Sequence, residues 1–124
     1  MFRVIIAGGR DFSDYELLKY KLDKLLARYD PQDLTIVCGE ARGADSLGKR
    51  YAEERGISVN SFPAEWERYG KSAGYKRNVQ MAENSDALVA FWDGKSRGTK
   101  HMIDIAIEHG LQVRIIRYKT ELFS

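Results

Sequence analysis

Glycine and arginine occur together at three points of the sequence, each just after a run of apolar residues. These segments are Gly8-Gly9-Arg10-Asp11, Gly39-Glu40-Ala41-Arg42-Gly43-Ala44-Asp45 and Gly94-Lys95-Ser96-Arg97-Gly98-Thr99. Glycine lets the backbone approach a ligand closely and adopt a positive φ. Arginine can donate two parallel hydrogen bonds to a phosphate, and Ser96 and Thr99 add hydroxyl donors. The combination indicates a site for a phosphorylated ligand.

Glycines that follow strands often serve only as tight turns, so each segment alone is weak evidence for a ligand. Three such turns, each carrying an arginine, favour a binding site over three unrelated turns. Residues 39–43 lack the Lys-Ser/Thr ending of a Walker A loop, and no Gly-x-Gly-x-x-Gly fingerprint occurs. An ordinary ATPase or dehydrogenase site is therefore not indicated.

The elements that must position these segments follow from hydrophobic periodicity. Strands are predicted at Arg3–Ala7, Leu34–Val37, Ile57–Phe62, Ala87–Phe91 and Gln112–Arg117. Helices are predicted at Tyr15–Tyr29, Ala44–Arg55, Tyr75–Asn84 and Gly98–His109, and residues 63–74 are expected to be irregular. Alternating strands and helices imply right-handed crossovers. The predicted fold class is α/β: one Rossmann-like three-layer domain over residues 1–124, with a mostly parallel five-stranded sheet in the order 3-2-1-4-5.

The strand order also predicts where a ligand binds. In an open parallel sheet, ligands lie outside the carboxyl ends of the strands, at the point where the strand order reverses. Here that point falls between the first and fourth strands. The three glycine and arginine segments follow the first, second and fourth strands, so they are expected to meet there. Helix N-termini at the same edge would add free N–H groups and a favourable dipole for an anion.

Several side chains at this edge have both a functional and a structural interpretation. Arg10 and Asp11 either contact phosphate or ribose or form a surface ion pair with no role. Asp45 either faces the ligand or only interacts with a helix dipole. Glu40 is the candidate catalytic carboxylate, by position. Trp66 either stacks on a base or covers the core.

A polar helix start is predicted just after Gly74. Arg77 and Asn78 lie in it and are candidates for anion binding, with Arg77 also a candidate catalytic residue. The alternative for Arg77 is that it caps the preceding loop or pairs with Glu65 or Asp86.

Composition excludes several classes of protein. The 124 residues suit one domain with a hydrophobic core, and a net charge of +2 does not by itself indicate a nucleic-acid partner. Cys38 is the only cysteine, which excludes an internal disulfide and a multi-cysteine zinc site. No apolar run is long enough for a membrane span. We expect a cytoplasmic protein with no membrane contact, no metal site and no cofactor.

The chain resembles the YspA-like, cpYpsA-related branch of the SLOG superfamily, which also holds the LOG phosphoribohydrolases and DprA. The matching stretches are GGRDF (8–12), GEARGAD (39–45), FPAEW (62–66), AGYKRNVQM (73–81) and SRGT (96–99). They occur in order over nearly the whole chain. The resemblance implies a Rossmann-like domain that binds a nucleotide or a nucleotide-derived ligand. It implies no particular reaction.

The LOG enzymes are the more informative comparison. Their pattern of Arg, Met, an Asp that opens a strand, and a Gly-Thr loop is matched in order by Arg77, Met81, Asp86 and Gly98-Thr99. However, the loop before Gly98 is longer here, and His101 and Met102 stand where the LOG enzymes have glutamates. Cleavage of a ribose N-glycosidic bond requires a carboxylate. The standard LOG reaction is therefore not indicated, and Glu40 is the candidate replacement.

The leading hypothesis is a site for a nucleotide or nucleotide-derived small molecule, used for sensing or for N-glycosidic hydrolysis. The alternative is a DNA-processing accessory of the DprA type, because DprA carries an Arg-Asn that resembles Arg77-Asn78 and binds single-stranded DNA. Its nucleic-acid contacts would come from Arg10, Arg42, Arg77, Lys95 and Arg97. A third hypothesis is an interaction module without a ligand. A homodimer is compatible with the superfamily, although no sequence pattern establishes it.

Overall fold

The computed structural model describes residues 1–119. In chain order its elements are β1 (Phe2–Gly8), α1 (Tyr15–Leu25), β2 (Leu34–Cys38), α2 (Ala44–Arg55), β3 (Ser58–Ser61), α3 (Trp66–Tyr69), α4 (Ala73–Glu83), β4 (Ala87–Trp92), α5 (Arg97–Glu108) and β5 (Gln112–Arg117). Short 3-10 turns at Pro31–Asp33 and Gly70–Ser72 precede β2 and α4. Within residues 1–119 there is no helix of the length and apolarity that crossing a membrane requires.

All the strand pairings are parallel, in the order β3-β2-β1-β4-β5. Val4 of the central strand lies opposite Ile36 of β2 on one side and Ala87 of β4 on the other. The chain moves outward from β1 to β2 and β3 and then returns to β4 on the opposite side. The predicted α/β fold and strand order are confirmed, and the strand order reverses between β1 and β4.

The central strand is buried on both faces. Val4 and Ile6 belong to the hydrophobic cluster that includes Leu18 and Leu22 of α1. Ile5 and Ala7 belong to the second cluster, which contains buried residues of α4 and α5. Successive side chains of a strand point to opposite faces. The apolar run without polar alternation therefore reflects helices on both sides of the sheet, which gives three layers.

Helix α1 ends at Leu25, earlier than the predicted end at Tyr29. The N–H of Leu26 still donates to the carbonyl oxygen of Leu22, but the backbone then turns. The Tyr29 ring stacks on Phe2 of β1, with ring centroids 4.7 Å apart. Residues 26–29 therefore leave the helix, and Tyr29 packs on the sheet instead. The spacing of the leucines could not indicate this contact.

The segment expected to be irregular contains the short helix α3. The N–H groups of Arg68 and Tyr69 both donate to the carbonyl oxygen of Glu65, at 3.1 and 3.0 Å. Gly70 has a φ of +56° and ends the helix. Helix α4 then begins at Ala73, before the predicted start at Tyr75. A helix of a single turn has too few residues to show a periodicity in the sequence.

Candidate functional site

A cleft of about 400 Å³ opens at the carboxyl ends of β1 and β4, where the strand order reverses. We call it the main cleft. The predicted site residues that line it are Gly8, Gly9, Arg10, Asp11, Ala41, Asp45, Arg77, Asn78, Ser96, Gly98 and Thr99. Its volume lies within the usual range for small-molecule sites, roughly 300–1,000 Å³. The structure therefore brings most of the predicted residues to one concave surface.

A second hollow of about 320 Å³ lies beside the main cleft, and we call it the side chamber. The predicted residues that line it are Arg10, Gly39, Glu40, Ala41, Arg42, Trp66 and Arg77. Arg10, Ala41 and Arg77 line both spaces. The two spaces thus share one wall, and both candidate catalytic residues, Glu40 and Arg77, lie along the side chamber.

Three predicted residues line neither space. Gly43 has a φ of +76° and packs so closely on the Gly9 carbonyl that a Cβ there would collide with it. Gly94 has a φ of +87°, and a Cβ there would meet the guanidinium of Arg117. Arg97 lies on a shallow outer surface of α5. The glycines at 43 and 94 are required by chain geometry at these two turns.

The loop after β1 is held by contacts that are distant in sequence. The Gly9 N–H donates to the carbonyl oxygen of Phe91 at 3.2 Å. The Tyr118 hydroxyl donates to Asp11 Oδ1 at 2.8 Å, and it lies where a Cβ of Gly9 would be. A Cβ at Gly8 would collide with the Phe91 carbonyl oxygen. These glycines therefore allow the protein's own chain to approach, in addition to any ligand.

The loop after β2 is organised around a buried carboxylate. Asp45 Oδ2 accepts hydrogen bonds from the N–H groups of Gly39 at 3.2 Å and Ala41 at 3.3 Å. Burial raises the pKa of Asp45, and the hydrogen bond from Ala41 and the nearby Arg77 guanidinium oppose that rise.

Glu40 has a φ of +58°, the one positive φ among the described non-glycine residues. Such strain is concentrated at functional sites in proteins.

Arg77 of α4 is half-buried between the two spaces. Its Nη1 donates to the Gly39 carbonyl oxygen, and its Nε donates to Asn78 Oδ1 at 3.2 Å. Burial lowers the pKa of Arg77; Asp45 opposes this effect and the Arg10 guanidinium adds to it. The alternative partners do not engage it, because Glu65 and Asp86 form their salt bridges with Arg68 and Arg3.

The loop before α5 is preorganised by Asp93. Its Oδ1 accepts hydrogen bonds from the N–H groups of Lys95 at 2.8 Å and Ser96 at 2.9 Å, which hold its pKa below the usual value. Ser96 is the N-cap, and its Oγ accepts from the Thr99 N–H at 3.4 Å. Helix α5 consequently begins at Arg97, slightly before the predicted start at Gly98. Its first turn borders the main cleft.

Asn78 connects α4 to α5 at the bottom of the main cleft. Its Nδ2 donates to the Gly98 carbonyl oxygen at 3.4 Å and lies 3.1 Å from Nδ1 of His101. His101 also meets the Tyr75 ring edge-on, at a centroid distance of 4.4 Å. Burial lowers the pKa of His101. His101 therefore has partners within the protein, which its isolated position in the sequence did not indicate.

Sequence reasoning did not assign several residues that line these spaces. In the main cleft they are Ala7, Met81 and Met102, and in the side chamber Pro63 and Ala64. Met102 is 1% exposed although it lines the main cleft, and its thioether is neither an acid nor a base. Met81, Pro63 and Ala64 lie within the AGYKRNVQM and FPAEW stretches, which were the available signal.

Comparisons with known proteins fit this arrangement. The model of the "YspA, cpYpsA-related SLOG family" matches residues 2–69. The Gene 61 protein of Mycobacterium phage D29 is 37% identical over 119 residues, covering 91% of this chain and 94% of that protein.

Two solved structures share the fold at low sequence identity. The X-ray structure of DNA processing protein A (DprA) from Streptococcus pneumoniae matches with a TM-score of 0.69 and 18% identity, over 98% of this chain. This chain spans about half of that one, 51%. The X-ray structure of TM1055 matches with a TM-score of 0.66 and 21% identity, over 91% of this chain and 72% of that one.

Proposed function

Since this chain belongs to the YspA, cpYpsA-related SLOG family, we propose that its main cleft binds a nucleotide or a nucleotide-derived small molecule. The ligand's phosphate lies between Arg10 and Arg77, close to the first turn of α5. The main-chain N–H groups of the loops after β1 and β4 supply further donors. The bound molecule is either sensed or cleaved at its N-glycosidic bond.

The observation that carries this proposal is the pair of arginines facing one cleft. Arg10 and Arg77 line the same wall. Burial lowers the pKa of Arg77, and the nearby positive charge of Arg10 lowers it further. Asp45 lies close to both but is buried and also accepts hydrogen bonds from the loop backbone. An anion between the arginines would relieve their repulsion and accept charge-assisted hydrogen bonds.

Cleavage of the N-glycosidic bond would require one residue to activate water and another to hold the phosphate. In a hydrolase, Glu40 would activate water and Arg77 would hold the phosphate. Met102 lines the main cleft and cannot act as an acid or base. Sensing requires only binding, and every residue of the proposed phosphate site can serve that role.

Ligand-induced thermal stabilisation tests the proposal, because a molecule that binds only the folded protein raises its melting temperature. AMP, ADP and ATP should each stabilise the protein, and Arg77→Ala should abolish the shift. Arg68→Ala is the matched control, since Arg68 is exposed and forms a surface salt bridge with Glu65. The proposal fails if no nucleotide shifts the melting temperature, or if Arg68→Ala and Arg77→Ala have equal effects.

Binding of single-stranded nucleic acid is the second candidate function. It is favoured by exposed cationic side chains around the cleft and by Trp66, which is 53% exposed and could stack on a base. Of the five cations assigned to strand binding, Arg42, Lys95 and Arg97 are exposed and lie outside the main cleft. The structural neighbour named DNA processing protein A is consistent with it. Strand binding should weaken steeply with added salt, whereas nucleotide binding in the cleft should respond less.

We place this protein in the cytoplasm, because its one cysteine, Cys38, is a free and buried thiol. We also expect that it could form a homodimer, which size-exclusion chromatography with light scattering would test.

A further inference from the structure

The binding surface is divided into two spaces by a wall that carries two positive charges. The main cleft and the side chamber have similar volumes, about 400 and 320 Å³. Arg10 and Arg77 line both. A molecule that only fills the main cleft would leave one side of this arginine wall without a ligand. The geometry instead suits a molecule with two parts and a negatively charged centre.

The side chamber has the surfaces that a nucleoside requires. The Trp66 side chain is 53% exposed, although tryptophan side chains are usually mostly buried. The ring lies near Gly74, where an added Cβ would make an ordinary van der Waals contact with the Trp66 Cη2 at 3.5 Å. Pro63 and Ala64 provide apolar walls. Base–aromatic stacking on an exposed ring is a common means of holding nucleotides.

Glu40 adds a polar contact to the same chamber. It follows β2 directly, and its left-handed backbone, with a φ of +58°, carries the side chain at the chamber wall beside Arg42. A carboxylate at the end of a strand can accept hydrogen bonds from the hydroxyl groups of a ribose. Ring and carboxylate together match a base and its sugar.

We propose that the ligand is a dinucleotide, with two nucleosides joined by a pyrophosphate that lies between Arg10 and Arg77. One nucleoside occupies the main cleft and the other the side chamber, its aromatic ring against Trp66. The inference rests on the proposed function, since it takes the main cleft as a nucleotide site. It adds the second nucleoside and assigns Trp66 and Glu40 to it.

Isothermal titration calorimetry with AMP, ADP-ribose and NAD⁺ tests the inference at one fixed salt concentration. NAD⁺ should bind at least about tenfold more tightly than AMP, with ADP-ribose between them, because only NAD⁺ carries a second base that can stack on Trp66. Trp66→Ala should weaken NAD⁺ binding by about tenfold and leave AMP binding unchanged. Tyr20→Ala is the control, because Tyr20 of α1 is equally exposed, at 53%, and lines neither space.

The outcomes separate this inference from the proposed function. If AMP and NAD⁺ bind equally well and Trp66→Ala changes neither, the dinucleotide inference is overturned and the nucleotide site stands. If none of the three molecules binds, both are overturned. If a short single-stranded oligonucleotide binds through Trp66 and NAD⁺ does not, the side chamber serves nucleic acid, and the dinucleotide inference is again overturned.

Discussion

The guanidinium of Arg77 donates a hydrogen bond to the main-chain carbonyl of Gly39, which fastens α4 to the loop after β2. A Cβ at Gly39 would collide with this guanidinium, so a larger residue at position 39 would displace the Arg77 side chain. The same side chain lines the main cleft and the side chamber. Arg77 is therefore both part of the local structure and a candidate ligand contact.

Arg77→Ala should lower both the stability of the free protein and its affinity for nucleotides. Loss of the hydrogen bond to the partly buried Gly39 carbonyl should reduce the free energy of unfolding by about 1–3 kcal/mol. Loss of the phosphate contact should cost on the order of 2–5 kcal/mol of binding. Arg77→Lys keeps the charge without the planar fork and should be intermediate. Urea unfolding and calorimetry measure the two quantities, and unchanged affinity in Arg77→Ala would limit the residue to a structural role.

Gly98→Ala should stabilise the free protein while weakening nucleotide binding. An added Cβ would meet no atom within 4 Å. Alanine restricts the unfolded chain more than glycine does, which stabilises a protein by about 0.4–1 kcal/mol where the native backbone accepts the change. The same methyl group would project from a residue that lines the main cleft. Gly8→Ala is the contrasting variant, since its Cβ would lie 2.7 Å from that of Ala44 and should destabilise the protein. Thermal melts with and without AMP measure both effects, and normal AMP binding by Gly98→Ala would place the ligand elsewhere.

AMP should not be converted to free adenine at an enzyme-like rate. In the LOG pattern that the sequence resembles, glutamates stand at the positions of His101 and Met102, and a thioether cannot stabilise an oxocarbenium-like centre. Chromatographic detection of adenine after prolonged incubation is a sufficient measurement. If adenine does appear, the expectation is wrong, and its loss in Glu40→Gln but not in Glu67→Gln would identify Glu40 as the substitute carboxylate.

Acidification should destabilise the protein partly through His101. Its pKa is lowered by burial, although Asp104 and Glu108 oppose this, and its Nδ1 accepts a hydrogen bond from Asn78 only when unprotonated. The unfolded chain, with a histidine pKa of about 6.5, therefore binds more protons near that pH. The stabilisation is complete above about pH 6.5 and is lost as the pH falls through the folded-state pKa.

Melting curves at several pH values check this expectation. His101→Gln can still accept from Asn78 but does not titrate, so its melting temperature should fall less on acidification than that of the unmodified protein. His109→Gln removes the other histidine, which is exposed near the end of α5, and should retain the full loss. Equal acid sensitivity of all three proteins would assign the effect to other groups.

Much of the fold was predictable because burial and backbone hydrogen bonding impose fixed periods on the sequence. The bounds of α2 and β5 match the predicted ranges, and the strand order is as predicted. The end of α1 and the existence of α3 were missed. Each depends on one local contact or a single turn, such as the stacking of Tyr29 on Phe2.

The sequence predicted that the candidate site lies at the carboxyl edge of the sheet. It did not predict which residues at that edge line the main cleft or the side chamber. Turn residues after β1, β2 and β4 must lie at that edge because parallel strands end there together. Which turn residue faces the cleft depends on the local path of the chain, so Gly43, Gly94 and Arg97 line neither the main cleft nor the side chamber. The assignment of one domain to residues 1–124 stays a prediction.

The sequence by itself determined the alternation of strands and helices, and with it the edge at which glycines and arginines gather. Only the tertiary structure decided which side chains meet there. Tyr118 and Asp11 are 107 positions apart, and Arg77 and Gly39 are 38 apart. Periodicity records whether a side chain faces the core, whereas contacts between distant residues depend on strand register and loop path. The division of the site into two spaces by Arg10 and Arg77 therefore belongs to the folded chain alone.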